Sequence, residues 1–304
     1  MRVLVLGGTG RIGTMLRRFW SHDVAQGTDL TFIYQTRHPQ NASDGDLVWD
    51  ILAPLPDRLI RQAPFDCMIV LAGIVPRAGA DLALNIALGQ ASLEAASRLG
   101  IPRVLLASSS AVYGTSGDAP LSEEDPCDPV NAYGRAKLAM EDACRAQARR
   151  LGLELCALRI GNVAGADALL LNGAALEQGA RLQIDRFTDG GTPVRSYIGP
   201  HSLGRVLLTL LRSGTRLPGT LNIAAPRPVS MGALAQAAHL PATLHPVQET
   251  AHQYITLDCT RLAALHRFDP AEADPGEMVR QWQASTDRSP RAAKLGIDPR
   301  GNVF

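Results

Sequence analysis

MRVLVLGGTGRIGTMLRRFW, residues 1–20, decides how the rest of the chain is read. Its run Arg2–Leu6 is short, apolar and uninterrupted, the pattern of a strand buried on both faces of a parallel sheet. Ile12–Trp20 then carries apolar residues at helical spacing. Between strand and helix, Gly7, Gly10 and Gly13 form G-x-x-G-x-x-G. Such a turn aims backbone N–H groups and a helix N-terminus at a pyrophosphate, and the missing side chains let the phosphates come close. The expectation is a dinucleotide site built on Gly7, Thr9, Gly10, Arg11, Ile12 and Gly13.

The alternation of strand and helix continues outward. Strands are read at 30–34, 67–71, 104–107 and 154–158. Helices are read at 81–99, punctuated by Gly100 and Pro102, and at 132–150, stopped by Gly152. This order predicts an α/β fold, a doubly wound parallel sheet of the Rossmann type with a smaller C-terminal substrate-binding domain. Residues 1–165 form the NAD(P)-binding domain in this reading, and 200–225 return to it through a helix at 202–211 and a strand at 220–224. Residues 166–199 and 226–304, where Pro and Gly break the rhythm, form the substrate-binding part. The polar tail after Asp287 reads as loosely ordered or wrapped on the surface.

Composition narrows the class of protein. The 304 residues are 46% apolar and 19% charged, ordinary for a globular chain of this length. Thirty Lys and Arg against 29 Asp and Glu leave a formal charge of +1, which argues against a nucleic-acid or membrane-surface partner. No run of 18 apolar residues predicts a membrane helix, and the start does not read as a secretion signal, so a cytoplasmic location is expected. Cys67, Cys127, Cys144, Cys156 and Cys259 are odd in number, widely spaced and without a C-x-x-C pair, so reduced thiols and no metal are expected.

The second strand ends in Tyr34-Gln35-Thr36-Arg37-His38-Pro39, without the carboxylate that often accepts from the adenine ribose. Arg37, with Arg11 on the same side, suits a 2′-phosphate, so the reading is NAD(P) leaning to NADP. Asp50, beside Ile51, is a candidate acceptor for the adenine amino group.

Tyr133 and Lys137 lie four residues apart and share one helix face. A phenol with a pKa of about 10 is ionised only to about one part in a thousand at pH 7. Lowering that pKa by about three units takes roughly 4 kcal/mol, which a close ammonium and a cationic nicotinamide can jointly supply. Ser108, Ser109 and Ser110 follow a buried strand at the carboxyl edge where ligands of such sheets bind, and a serine there can hold a substrate oxygen. Glycine turn, serines and then Tyr-x-x-x-Lys 24 residues beyond Ser109 form one ordered set.

That set resembles the extended short-chain dehydrogenase/reductase family, the NAD-dependent epimerases and dehydratases. The resemblance runs through VLGGTGRIG (5–13), VLAGIVP (70–76), LLASSSAVYG (105–114), NAYGRAK (131–137) and LRIGNVAG (158–165). It continues weakly through GGTPVRSYI (190–198), GTLNIA (219–224) and LDCTRLAAL (257–265). It implies Ser109, Tyr133 and Lys137 as the catalytic residues. Leu71, Ala72, Gly73 and Ile160, with Tyr133 and Lys137, would contact the cofactor, and Ser109, Ser110, Asn162 and Arg195 the substrate. It further implies a homodimer packing helices 81–99 and 132–150 against a partner. The chain departs from the family on the substrate side: Arg195-Ser196-Tyr197-Ile198-Gly199-Pro200-His201-Ser202-Leu203 stands where R-D-Y-I-H-V-x-D-L is frequent. Ala164 replaces a common tyrosine, and Ala166-Asp167 follow Gly165 where proline is usual.

The function expected is an NAD(P)-dependent oxidoreductase or epimerase acting at a carbinol or carbonyl carbon of a sugar-like or nucleotide-sugar substrate. An NADPH-dependent carbonyl reductase or dehydrogenase of a small non-nucleotide substrate is the alternative within the enzymes. A non-catalytic NAD(P)-binding redox sensor is the alternative of another class.

Overall fold

The computed structural model describes residues 1–21, 29–115, 119–247 and 251–286. Its first elements are β1 (Arg2–Leu6), α1 (Arg11–Phe19), β2 (Thr31–Thr36), β3 (Leu47–Val48), α2 (Asp57–Gln62) and β4 (Cys67–Val70). Then come α3 (Leu84–Arg98), β5 (Arg103–Ser109), α4 (Ala132–Leu151) and β6 (Glu154–Ile160). Shorter elements follow: β7 (Asn162–Val163), α5 (Ala168–Ala174), β8 (Leu182–Arg186), β9 (Val194–Arg195), β10 (Tyr197–Ile198), α6 (Pro200–Leu211) and β11 (Thr220–Ile223). Last are β12 (Val229–Ser230), α7 (Met231–Ala237), β13 (Ala242–Pro246), β14 (Tyr254–Ile255), α8 (Thr260–Leu265) and α9 (Pro275–Ser285).

The uninterrupted apolar runs become the centre of a seven-stranded sheet ordered β11-β6-β5-β4-β1-β2-β3. Val3 of β1 lies opposite Phe32 on one side and Cys67 on the other, both neighbours parallel. At the far edge, hydrogen bonds from Ala157 N to Gly219 O and from Gly161 N to Ile223 O advance in step, so β11 also runs parallel. From β1 the chain first builds outward through β2 and β3, then returns to the opposite side at β4. In a doubly wound sheet that reversal opens a crevice beyond the carboxyl ends of the two central strands.

Period-two alternation explains the core. Leu4, Leu6, Met68, Val70, Val104 and Leu106 face one side of the sheet and cluster with Leu93 and Ala96 of α3 and Met140 and Cys144 of α4. Val3 and Val5 point the other way and are equally buried. β5 and β6 run further than their apolar stretches, because the ladder continues through Ser108–Arg159 and Ser109–Ile160. Two serines read as following the strand are therefore held in the sheet itself.

The chain divides into two compact units. The first comprises 1–115, 123–160 and 207–222 and contains the elements from β1 to β6. The second takes in 161–206 and the described residues of 119–122 and 223–286. It holds small sheets ordered β10-β7, β12-β9-β14 and β13-β8 around a core of Leu170, Leu182, Ile184, Tyr197, Leu234 and Met278. The two-residue strands are too short to show periodicity, which is why the sequence reads there only as irregular. Among the described residues all five cysteines are free thiols, no group of His, Cys, Asp and Glu could hold a metal, and no helix is long and apolar enough to cross a membrane. The tail after Asp287 lies outside the described residues.

Candidate active site

The glycine turn is set by backbone contact. Gly7 has φ +82, and a Cβ there would lie 2.6 Å from Ala72 N, just beyond β4. A Cβ on Gly13 would lie 2.4 Å from Gly7 O, so the turn and the start of α1 touch backbone to backbone. Gly10 precedes α1 with no side-chain cap. The first-turn amides, which a helix cannot satisfy internally, are thus left without a protein cap at its positive end. This cradle fits a dinucleotide pyrophosphate. Gln35, 2% exposed, accepts from Gly7 N at 2.9 Å and donates to Trp49 O, tying the turn to β2 and to the segment after β3. Sequence reasoning passed over Gln35; its signal was a carboxamide in an otherwise apolar strand end.

From Gly7 the contacts lead to the lysine. Ala72 abuts Gly7, and a Cβ on Gly73 would lie 3.2 Å from Lys137 Nζ and 2.9 Å from Asn85 Oδ1. Lys137 is 5% exposed and donates to Ala107 O at 3.0 Å. Burial pushes its pKa down to about 8, against the pull of the Glu141 carboxylate. One turn earlier on α4, Tyr133 lies within reach of the Ser109 side chain. Burial raises the phenol above its usual pKa, and the neighbouring Ser109 side chain acts in the opposite sense. The lowered phenol pKa expected from the sequence is thus not a property of the protein groups alone. Asn131 caps α4 by accepting from Gly134 N at 2.8 Å, which fixes the helix start beside the turn at 110–112. Ser109 caps that turn in its own right, accepting from Ala111 N at 3.2 Å.

The other candidates in this unit are distributed around the sheet ends. Thr9 Oγ1 lies 3.4 Å from Thr36 Oγ1, and Arg11 opens α1 with its side chain exposed. Ile12 and Leu71 are half-buried. Arg37 is exposed and its Nε donates to His38 Nε2 at 3.1 Å. Asp50 is exposed and accepts from Leu52 N at 3.0 Å, while Ile51 joins the apolar core and Ile160 ends β6 at 5% exposure. Ser110 is half-buried at the start of the 110–112 turn.

Asn162 and Arg195 belong to the second unit. Asn162 begins β7 opposite Tyr197. Arg195 Nη1 donates to Val194 O and to Gln253 O, both at 2.7 Å, and Nη2 donates to His252 O at 3.3 Å. Three backbone carbonyls therefore engage a guanidinium that the family resemblance assigns to the substrate.

A buried polar group also escaped sequence reasoning. Glu141 is 1% exposed and accepts from Ser108 Oγ and from Arg159 Nε and Nη2, the last at 2.9 Å. Arg159 also faces the Tyr113 ring at 4.7 Å, a cation–π contact beside its otherwise unpartnered Nη1. The Tyr113 hydroxyl donates to Asn222 Oδ1 at 2.7 Å. The available signal was position: Glu141 falls one turn after Lys137 on the same face.

Residues 3–224 match the NAD dependent epimerase/dehydratase family. A UDP-glucose 4-epimerase of Azospirillum brasilense is 30% identical over 246 residues, 71% of this chain and 71% of that protein. The fold is shared with a UDP-glucuronic acid 4-epimerase of Bacillus cereus solved with UDP-glucuronic acid and NAD: TM-score 0.75, 18% identity, 94% of this chain and 99% of that one. It is shared likewise with a UDP-glucose 4-epimerase of Bifidobacterium longum solved with NAD+ and UDP: TM-score 0.74, 17% identity, 93% and 98% covered. With the family pattern spanning the whole seven-stranded sheet and the glycine turn, the chain belongs to the NAD dependent epimerase/dehydratase family and is an enzyme of that family.

Proposed function

We propose that this enzyme is an NAD-dependent 4-epimerase of a nucleoside-diphosphate sugar, UDP-glucose and its 4-epimer being the first substrates to try. The observation that carries the reading is the placement of Ser109 beside Tyr133 one helical turn from buried Lys137, linked through Gly73 and Ala72 to the glycine turn. The curated relative named above, a UDP-glucose 4-epimerase, and the UDP-sugar and UDP ligands of the two solved relatives support the substrate class.

When bound, the oxidised dinucleotide supplies the hydride acceptor and a positive ring beside the phenol. Ser109 holds the substrate oxygen with a hydroxyl that the strand end already orients. Tyr133 takes the proton of the sugar hydroxyl and returns it to the ketone oxygen once the other face of that ketone is presented. Lys137 keeps a positive charge next to the phenol and offers its remaining N–H groups to the cofactor ribose. Gly7, Gly10 and Gly13 receive the pyrophosphate.

The cofactor is proposed as NAD, the form held by the solved relatives. Arg37, already bonded to His38, is proposed as a peripheral contact. Arg37→Ala is then expected to change NAD affinity by less than about threefold, measured by calorimetry; a marked loss confined to NADP would restore the other dinucleotide.

Tyr133→Phe is expected to lower kcat by about 10²–10⁴-fold while NAD binding persists, the usual span of an acid/base group. Conversion of UDP-glucose, followed by NMR, checks it, and wild-type protein inert toward a panel of nucleotide sugars would overturn the reading. A second reading, net oxidation or reduction of a smaller substrate, is favoured by the engagement of Arg195 with three backbone carbonyls. Tightly retained cofactor in purified protein favours epimerisation; freely exchanging cofactor favours net redox.

A further inference from the structure

Three consecutive residues of β5 meet three successive turns of α4. Ser109 lies beside Tyr133, Ala107 O accepts from Lys137 Nζ at 3.0 Å, and Ser108 Oγ donates to Glu141. Tyr133, Lys137 and Glu141 are spaced i, i+4 and i+8, so one helix face carries all three. Glu141 is the innermost of them and the only one held from two strands. Arg159 of β6, directly opposite Ser108 in the ladder, grips the same carboxylate through Nε and Nη2. Burying such a carboxylate is costly, and packing alone would be served equally well by an apolar residue.

We propose that Glu141 is a positioning residue for the reaction: it locks β5 and α4 in the register that brings Ser109 beside Tyr133, and it sets a buried carboxylate one helical turn beyond the Lys137 ammonium. The inference rests on the Ser109–Tyr133–Lys137 reading given above and deepens it.

The charges around Lys137 fix the sign. From α4 itself come Glu141 and the thiol of Cys144, with Tyr133 one turn earlier on the same face; Arg145, also on α4, reaches Glu141 at 3.5 Å. From β6 comes Arg159, bound to Glu141. β5 offers the Ala107 carbonyl and α3 the Asn85 carboxamide, both uncharged. Burial drives Lys137 toward its neutral form, and the negative charge of Glu141 opposes it most strongly. Without that negative charge Lys137 gives up its proton at a lower pH, and the helix that needs its charge loses it sooner.

Glu141→Gln keeps the shape and an acceptor for Ser108 but removes the charge. In the full-length NAD-loaded protein, the alkaline limb of the kcat/KM profile is expected to move down by about one pH unit or more. Independently of turnover, the midpoint of the Lys137 side-chain titration, followed by NMR in lysine-labelled protein without cofactor, is expected to fall by a similar amount. Arg145→Gln, at a partly exposed position, removes a cation from the other side of the same carboxylate and is expected to raise that midpoint by a few tenths of a unit. A limb and a midpoint unmoved in Glu141→Gln overturn the proposal; if that chain does not fold, an unmoved midpoint in Arg145→Gln does so. Wild type and Tyr133→Phe equally inactive would instead sink the acid/base reading, whatever Lys137 does.

Discussion

At the scale of single residues, Lys137 links the proposed function to stability. Its ammonium is buried with one carbonyl acceptor at 3.0 Å, and its pKa stands at about 8 against 10.5 for the free side chain. Between those two values the unfolded chain binds more protons at this position than the folded one, so folding is increasingly favoured as pH rises from about 8 to 10.5. Below about 8 the full cost of the buried charge is present. Relative to Lys137→Met, wild-type stability is expected to rise by roughly 3 kcal/mol across that window, read from denaturant unfolding at a series of pH values. A flat difference between the two proteins would show that Lys137 titrates as an ordinary exposed amine. Ser109, Tyr133 and Lys137 were marked as candidates by their order and spacing, a strand end followed by one helix face, and the family resemblance supplied their proposed roles. Glu141 was not, since an acid four residues before Arg145 looks like an ordinary exposed helix pair until the fold turns it inward.

At the scale of elements, the junction between β5 and α4 carries the proposed site. A Cβ on Gly134 would lie 2.2 Å from Ala111 O, so the first turn of α4 rests directly on the backbone that follows Ser109. Gly134→Ala must push the helix start away, and Tyr133 is its neighbour. The variant is expected to lose at least tenfold in kcat, with a loss of stability of about 1–3 kcal/mol, typical of overpacking. Turnover kinetics and thermal unfolding together check it; unchanged kcat with lowered stability would show that the Ser109–Tyr133 pairing tolerates the displacement. The long apolar runs and glycine stops made β1, β4, α3 and α4 readable to within a few residues. The paired segments β7, β9, β10, β12 and β14 have two residues each, too few for any alternation to register. Their positions are set by partners distant in sequence, such as Arg195 against Val229 and Ile255.

At the scale of the whole molecule, the near-neutral total conceals local charge: Arg159 and Glu141 lie within the sheet-and-helix core of the first unit, while Arg37 and Arg11 stay in solvent. We propose that a second copy packs on α3 and α4, where Ile86, Leu88 and Ala91 remain only partly covered by their own chain. Sedimentation equilibrium is expected to give twice the 32.4 kDa chain mass, and Leu88→Glu to halve it. One further property follows from β11, residues 220–223, completing the sheet beside β6, which ends at residue 160. During synthesis some sixty residues emerge between the two strands, and at the usual pace of translation that takes several seconds. Throughout that interval β6 is an open edge of apolar parallel strand, the kind of surface that recruits other chains. A ribosome-released fragment 1–165 is therefore expected to aggregate or to bind chaperones. A fragment 1–225 should do so markedly less, because the strand that closes the edge travels with it.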